Sequence, residues 1–264
     1  MVVEELYKFF KSKVSIIIVF ITTILGIIHT YNAIFYTGTS KIKRNSYHPA
    51  FATFLNGVAA KGNYRTYFLW IMPMLFILAY CGKYTLEKKR NLDLIYSIKI
   101  GRKKYFASKL KAAAIVAAII TLIPNLISLI MTSCFLNGKK DFMGMQLWSR
   151  NEAGDFLYFS IKNPYCTYFV FLISNIVVSV LLALMCQSII FILEDTRIGM
   201  LLVTAIWMGI YFGNNYSFIG NAMQPFVAEN TLKSIALSYL TYVPMVLVWI
   251  IAAYFKVVRK NDRL

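Results

Sequence analysis

The placement of charged residues constrains this chain more than any other feature. From Val14 to Ser40 there are 27 residues with no Asp, Glu, Lys or Arg. Further uncharged windows cover residues 66–82 (17 residues), 112–138 (27), 163–193 (31), 198–228 (31) and 234–255 (22). An α-helix rising about 1.5 Å per residue crosses a hydrocarbon layer of about 30 Å with some 20 residues, range roughly 17 to 25. In lipid every backbone polar group must be satisfied within the protein, and long uncharged segments without ten-residue alternation fit helices and not a barrel. The expected fold is therefore an all-α membrane protein. It has six transmembrane helices, over about 14–35, 66–84, 110–136, 165–193, 198–213 and 234–256, in a single transmembrane domain covering 1–264.

Only 15% of the 264 residues are charged, against about 25% in soluble domains. The formal net charge of +17 would suggest nucleic acid in a soluble protein; here a bilayer is the better partner. With the N-terminus inside, the cytoplasmic segments carry 18 basic residues and the outer ones 10, the latter swollen by Lys41, Lys43 and Arg44. The positive-inside bias thus favours both termini in the cytoplasm. Residues 14–28 follow basic residues as a secretory signal would, but no small-residue cleavage site follows Ile28, so the segment reads as a retained first helix. Ahead of it, residues 1–13 set Val2, Val3, Leu6, Phe9 and Phe10 at helical spacing among Glu4, Glu5, Lys8 and Lys11, the pattern of a helix lying in the interface.

Several chemistries lack their motifs. Cys81, Cys134, Cys166 and Cys186 form no CxxC and have no neighbouring His, so metal and redox sites find no support; Cys134 and Cys166 share the outer face and could pair, or be plain core residues. Neither the phosphate-binding GxxxxGK[ST] pattern nor HExxH or GxSxG occurs, so the chain is expected to be no enzyme and to hold no cofactor of its own. No ionisable group sits mid-span, which argues against a proton-coupled pump; His29, near the outer end of the first span, reads as an interfacial side chain. Asn215, Tyr216 and Ser217 make a nominal sequon.

Uncharged polar residues inside the spans have two readings. Asn125, Asn175, Ser179, Gln187 and Ser188 either line a substrate path or hydrogen-bond between helices. Alanines at 112, 113, 114, 117 and 118 and the pair Gly209 and Gly213 offer close helix approach. Pro73, Pro124 and Pro244 should kink their spans. The fifth window is too long for one helix. It breaks at Gly213, Asn214 and Asn215 and again at Gly220, Asn221, Gln224 and Pro225, which predicts a broken outer or re-entrant segment over 213–233.

The most informative stretch is residues 85–109, TLEKKRNLDLIYSIKIGRKKYFASK, expected on the cytoplasmic side between spans 2 and 3. It reads as an amphipathic helix passing through Gly101 into the next span: a docking element, or a surface helix held by anionic lipid at about 1 kcal/mol per basic residue. The stretch resembles the coupling region of ABC exporter permeases of the second class. Glu87 matches the leading acid, Leu92 and Asp93 the Leu-Glu pair, Ser97 the Ser, Arg102 and Lys103 the basic pair, and Lys109 the Lys entering the third span. Arg90 stands at the usual Gly and Lys99 at the usual Pro.

The resemblance extends to the layout of nearly the whole chain. It implies a cytoplasmic ABC ATPase partner that holds the ATP and Mg, and a second permease, identical or homologous, in the plasma membrane of a bacterium. Glu87, Arg90, Asp93, Arg102, Lys103 and Lys109 would contact or orient the ATPase, with Glu194, Asp195 and Arg197 as a smaller second contact. The cargo it suggests is a hydrophobic or amphipathic peptide, with no nucleic acid involved. A non-transporting membrane anchor or immunity protein that binds a toxin through its outer loops is the competing reading.

Overall fold

A computed structural model describes residues 1–35, 47–57, 64–139, 150–212, 218–226 and 231–259. Those residues are helical, with no strand among them. The order is α1 (Val2–Lys11), α2 (Lys13–Phe35), a 3-10 turn (Pro49–Ala52) and α3 (Tyr64–Phe76). One π-helical turn (Ile77–Cys81) then leads into α4 (Lys83–Lys89), followed by α5 (Leu92–Ile100), α6 (Arg102–Phe135), α7 (Arg150–Lys162), α8 (Pro164–Leu193) and α9 (Thr196–Phe212). Last come α10 (Phe218–Met223), α11 (Leu232–Tyr254) and a final π turn (Phe255–Arg259). Five stretches are long and apolar enough to cross a membrane: 13–35, 64–89, 102–135, 164–193 and 232–259. α9, with 17 residues, is a shorter apolar helix.

α6 is central, packed against α2 on one side and α8 on the other. Its alanines explain the closeness: Ala112, Ala113 and Ala117 are buried in the core. At the α2–α6 crossing a Cβ on Gly26 would lie 3.1 Å from Pro124 Cβ, so only glycine fits without displacement. Gly209 has nothing within 4 Å of the place a Cβ would take, so among the described residues no close approach requires it. Its partner Gly213, Asn214 and the sequon at Asn215 lie outside the described residues, as do Lys41, Lys43 and Arg44.

The helices continue through Pro73, Pro124 and Pro244. Pro73 has no N–H to give the Leu69 carbonyl four residues back. The buried Trp207 indole on α9 donates to that carbonyl at 2.7 Å, joining α9 to α3. Among the described residues, all four cysteines are free thiols, Cys81 and Cys186 buried, Cys134 and Cys166 exposed.

The molecule has two chemically different ends. One gathers α1, α4, α5, the α8–α9 junction and the last π turn; we call it the basic end. The other carries residues 47–57, α7, α10 and the start of α11. His29 belongs to this far half but is fully buried against Phe54, ring centroids 5.3 Å apart, and so does not reach an interface as the sequence suggested.

Candidate functional site at the basic end

Two breaks shape the segment between α4 and α6. Asn91 takes a left-handed conformation (φ 55°) after α4, and Gly101 (φ 85°) turns α5 into α6. Asparagine and glycine are the residues that enter this region most readily. Leu94, Ile95 and Ile98 on α5 and Leu86 on α4 are left exposed, Ile98 at 85%.

Beneath this pair of short helices lies a closed ring of charge. The Lys109 ammonium on α6 is 2.6 Å from Glu5 on α1 and 2.6 Å from Glu87 on α4. The Lys8 ammonium is 2.7 Å from Glu5 and 3.0 Å from Glu87. Two carboxylates and two ammoniums therefore alternate around one circuit with no net charge. Tyr80 donates to Glu5 at 2.8 Å and Tyr105 to Glu87 at 3.1 Å, filling further lone pairs. Burial pushes the Glu5 carboxyl up, yet Lys109, with hydrogen bonds from Lys8 and Tyr80, holds it below the usual carboxylate range. Burial pulls Lys8 down, and its bonds to Glu5 and Glu87 outweigh this and raise it. A buried pair stripped of one partner costs 3–5 kcal/mol in typical proteins, so the ring fixes α1, α4 and α6 relative to one another.

A second, more open cluster sits beside it. Glu194, left-handed at φ 61°, ends α8 and meets Lys88 at 2.5 Å and Lys256 at 3.0 Å. Burial raises its carboxyl, but these two lysines hold it lower overall. Asp195 is exposed and caps α9, accepting from the Arg197 and Ile198 amides at 2.7 and 3.2 Å; those bonds hold it below the ordinary range. Between this cluster and α5 opens a pocket of about 290 Å³, whose walls include Asp93, Ser97, Arg102 and Glu194.

The residues singled out in the sequence thus divide. Asp93, Arg102 and Glu194 share the pocket, while Arg90, Lys103, Asp195 and Arg197 are exposed around it. Glu87 and Lys109 are buried in the ring, so any part they play is in orienting the segment and not in touching a partner. Glu5, Lys8, Tyr80, Tyr105, Lys88 and Lys256 complete the site and were not singled out. Glu5 and Lys8 sit three apart on α1, a spacing that pairs charges on a helix, and this was the available signal.

Asn125, Asn175, Ser179 and Gln187 are all buried and do not join the site. Ser179 donates to the Asn175 carbonyl and Asn125 to the Thr121 carbonyl, each four residues back in its own helix. Among the described residues, an interhelical bond there runs from the Tyr168 hydroxyl to the Asn125 carbonyl at 2.8 Å. Both amide atoms of Gln187 have no hydrogen-bond partner among the described residues.

Among known proteins, the chain is similar to a protein of Bacillus subtilis (strain 168) described as "Uncharacterized protein YybM". The two are 23% identical over 212 residues, which cover 80% of this chain and 81% of the relative. No family model matches the chain. No solved structure matches it either.

Proposed function

We propose that this chain is the membrane-spanning subunit of an ATP-driven ABC exporter in a bacterial plasma membrane. Its basic end faces the cytoplasm, α9 is the fifth of six spans and α1 lies in the inner interface. A cytoplasmic ATPase binds ATP and Mg and docks on α4–α5, and a second permease completes the pathway for a hydrophobic or amphipathic peptide. The chain itself is not an enzyme.

The supporting observation is the mounting of α5. It exposes Leu94, Ile95 and Ile98 beside the exposed Lys103 and Lys104, on a segment bolted to α1 and α6 through Glu87 and Lys109. A short helix that leaves its apolar side chains uncovered needs a partner surface, and one fixed to the foot of a 34-residue helix passes any push on it to that helix. The basic segments of this end also agree with the positive-inside bias.

The test is affinity purification of the tagged chain from its native membrane, with mass spectrometry of what is retained. We expect stoichiometric recovery of a P-loop ATPase, and its loss with Ile98→Asp while the chain still inserts. Recovery of the chain alone, in a detergent that preserves known ABC complexes, would reject the exporter reading in favour of an anchor or immunity protein.

A further inference from the structure

The far half of the bundle holds a buried charge that the ring at the basic end does not explain. Arg65, in the first turn of α3, is 4% exposed. A guanidinium does not shed its proton in a protein, so it is a full positive charge within an apolar bundle. Its Nη2 donates to the Met223 carbonyl at the end of α10, 2.5 Å away. Its Nη1 has no partner, and no carboxylate pairs with it among the described residues.

His29 on α2, beneath the same 47–57 segment, is fully buried against Phe54, and the Thr53 backbone lies within hydrogen-bonding reach of its ring. Whichever tautomer it takes, a neutral imidazole carries one N–H donor. The Thr53 backbone is at hand for that donor, so the group left without an acceptor is the charged Arg65 Nη1.

The surrounding backbone is built around the arginine. Gly57 has φ +76°, and a Cβ there would lie 3.2 Å from Arg65 Cδ, so this position takes glycine on both counts. Gln224, next to Met223, donates to the Asn56 carbonyl at 3.0 Å and so ties the α10 side of the cap to the 47–57 segment. An ionisable residue kept inside an apolar bundle is costly and marks a ligand or ion site by default.

We infer that Arg65 forms an anion site beneath the cap made by residues 49–57 and α10, taking one monovalent anionic group of carboxylate or chloride size. The Arg65 fork supplies the donors, and the Met223 carbonyl is the group such an anion displaces. This reading stands whether or not an ATPase binds the other end. If the exporter reading holds, a carboxylate of the peptide cargo is one source of the group; a free inorganic anion is the other.

The experiment is thermal unfolding of the purified full chain in detergent, at fixed pH and ionic strength, as chloride or acetate replaces a bulky sulfonate. We expect a saturable rise in Tm of about 5 °C with at least one anion well above its Kd. Response to acetate alone assigns a carboxylate, and response to chloride alone an inorganic ion. Arg65→Gln should abolish the response, and Arg65→Lys, which keeps the charge but not the fork, should weaken the apparent Kd about tenfold. A flat wild-type Tm in both anions overturns the site, as does an unchanged response in Arg65→Gln. Where Arg65→Gln fails to fold, an unchanged Kd in Arg65→Lys does the same.

Discussion

Single atoms set the strength of two junctions. The Leu69 carbonyl is free because Pro73 cannot donate to it, and Trp207 takes its place. Trp207→Phe keeps most of the ring volume and orphans that carbonyl, a loss of about 1–3 kcal/mol in resistance to unfolding. In a Pro73→Ala background the restored N–H satisfies Leu69 from within α3, so the same Trp207 change should cost less; equal losses in both backgrounds would show that the carbonyl is not the link. The charge ring gives a second case. Glu5→Gln leaves Lys109 and Lys8 each short of one carboxylate and should cost about 3 kcal/mol at neutral pH. Because the folded Glu5 carboxyl lies below its ordinary value, its stabilisation is complete above the usual carboxylate range and is lost as pH falls through the lowered value. The wild-type advantage over Glu5→Gln should therefore be flat from about pH 5 to pH 8 and shrink below about pH 4, as read from paired unfolding curves. Of this pairing only the Glu5–Lys8 spacing was visible in sequence, where Glu5 otherwise reads as one of four charges on the wet side of a short helix. Burial of an acid on α1 depends on cations 104 and 3 residues away, and only the fold brings Lys109 there.

At the scale of elements, five of the charge-free windows coincide with described helices long and apolar enough to cross a membrane, and the helix ends differ from the window bounds. The third span was expected from residue 110, yet α6 starts at Arg102, because Lys, Arg and Ala all favour helix and the basic turn adds to the apolar stretch without a break. The fifth span was expected from 198, and α9 starts at Thr196 because Asp195 caps it. α9 ends at Phe212 and α10 covers Phe218–Met223, while much of the broken segment expected over 213–233 lies outside the described residues. The turn at Gly101 was legible, since glycine before a basic run marks a helix stop, and its φ of 85° shows why it is glycine. Gly101→Ala has room for its methyl but must hold φ 85° with ψ 139°, backbone space open essentially to glycine alone, at a cost of about 1–3 kcal/mol. We expect the α5–α6 corner to loosen while α6 stays intact: amide exchange should speed up in residues 92–101 and stay unchanged beyond Ala112. Exchange unchanged in 92–101 would mean the corner is held by packing and not by this backbone angle.

For the whole molecule the open matter is which way the bundle sits in a membrane, and the four cysteines answer it without engineering. Cys134, near the end of α6, and Cys166, in the first turn of α8, are exposed at the far end. Cys81 and Cys186 lie in the core, their thiols against the Ala183 and Pro73 carbonyls at 3.8 and 3.9 Å. Thiol modification needs access to the thiolate, so the buried pair stays inert in the folded protein wherever the reagent is. The basic residues are weighted toward the end holding α1, α5 and the last π turn, and the proposed exporter reading therefore puts that end in the cytoplasm and the exposed cysteines outside. A membrane-impermeant maleimide added to intact cells should then label the chain, and Cys134→Ser with Cys166→Ser should remove the label. The same experiment separates the orientations because inverted vesicles present the other face. Labelling confined to inverted vesicles would put the far end, with Arg65 and its cap, in the cytoplasm, and would leave α4–α5 on the side where no ATP is found.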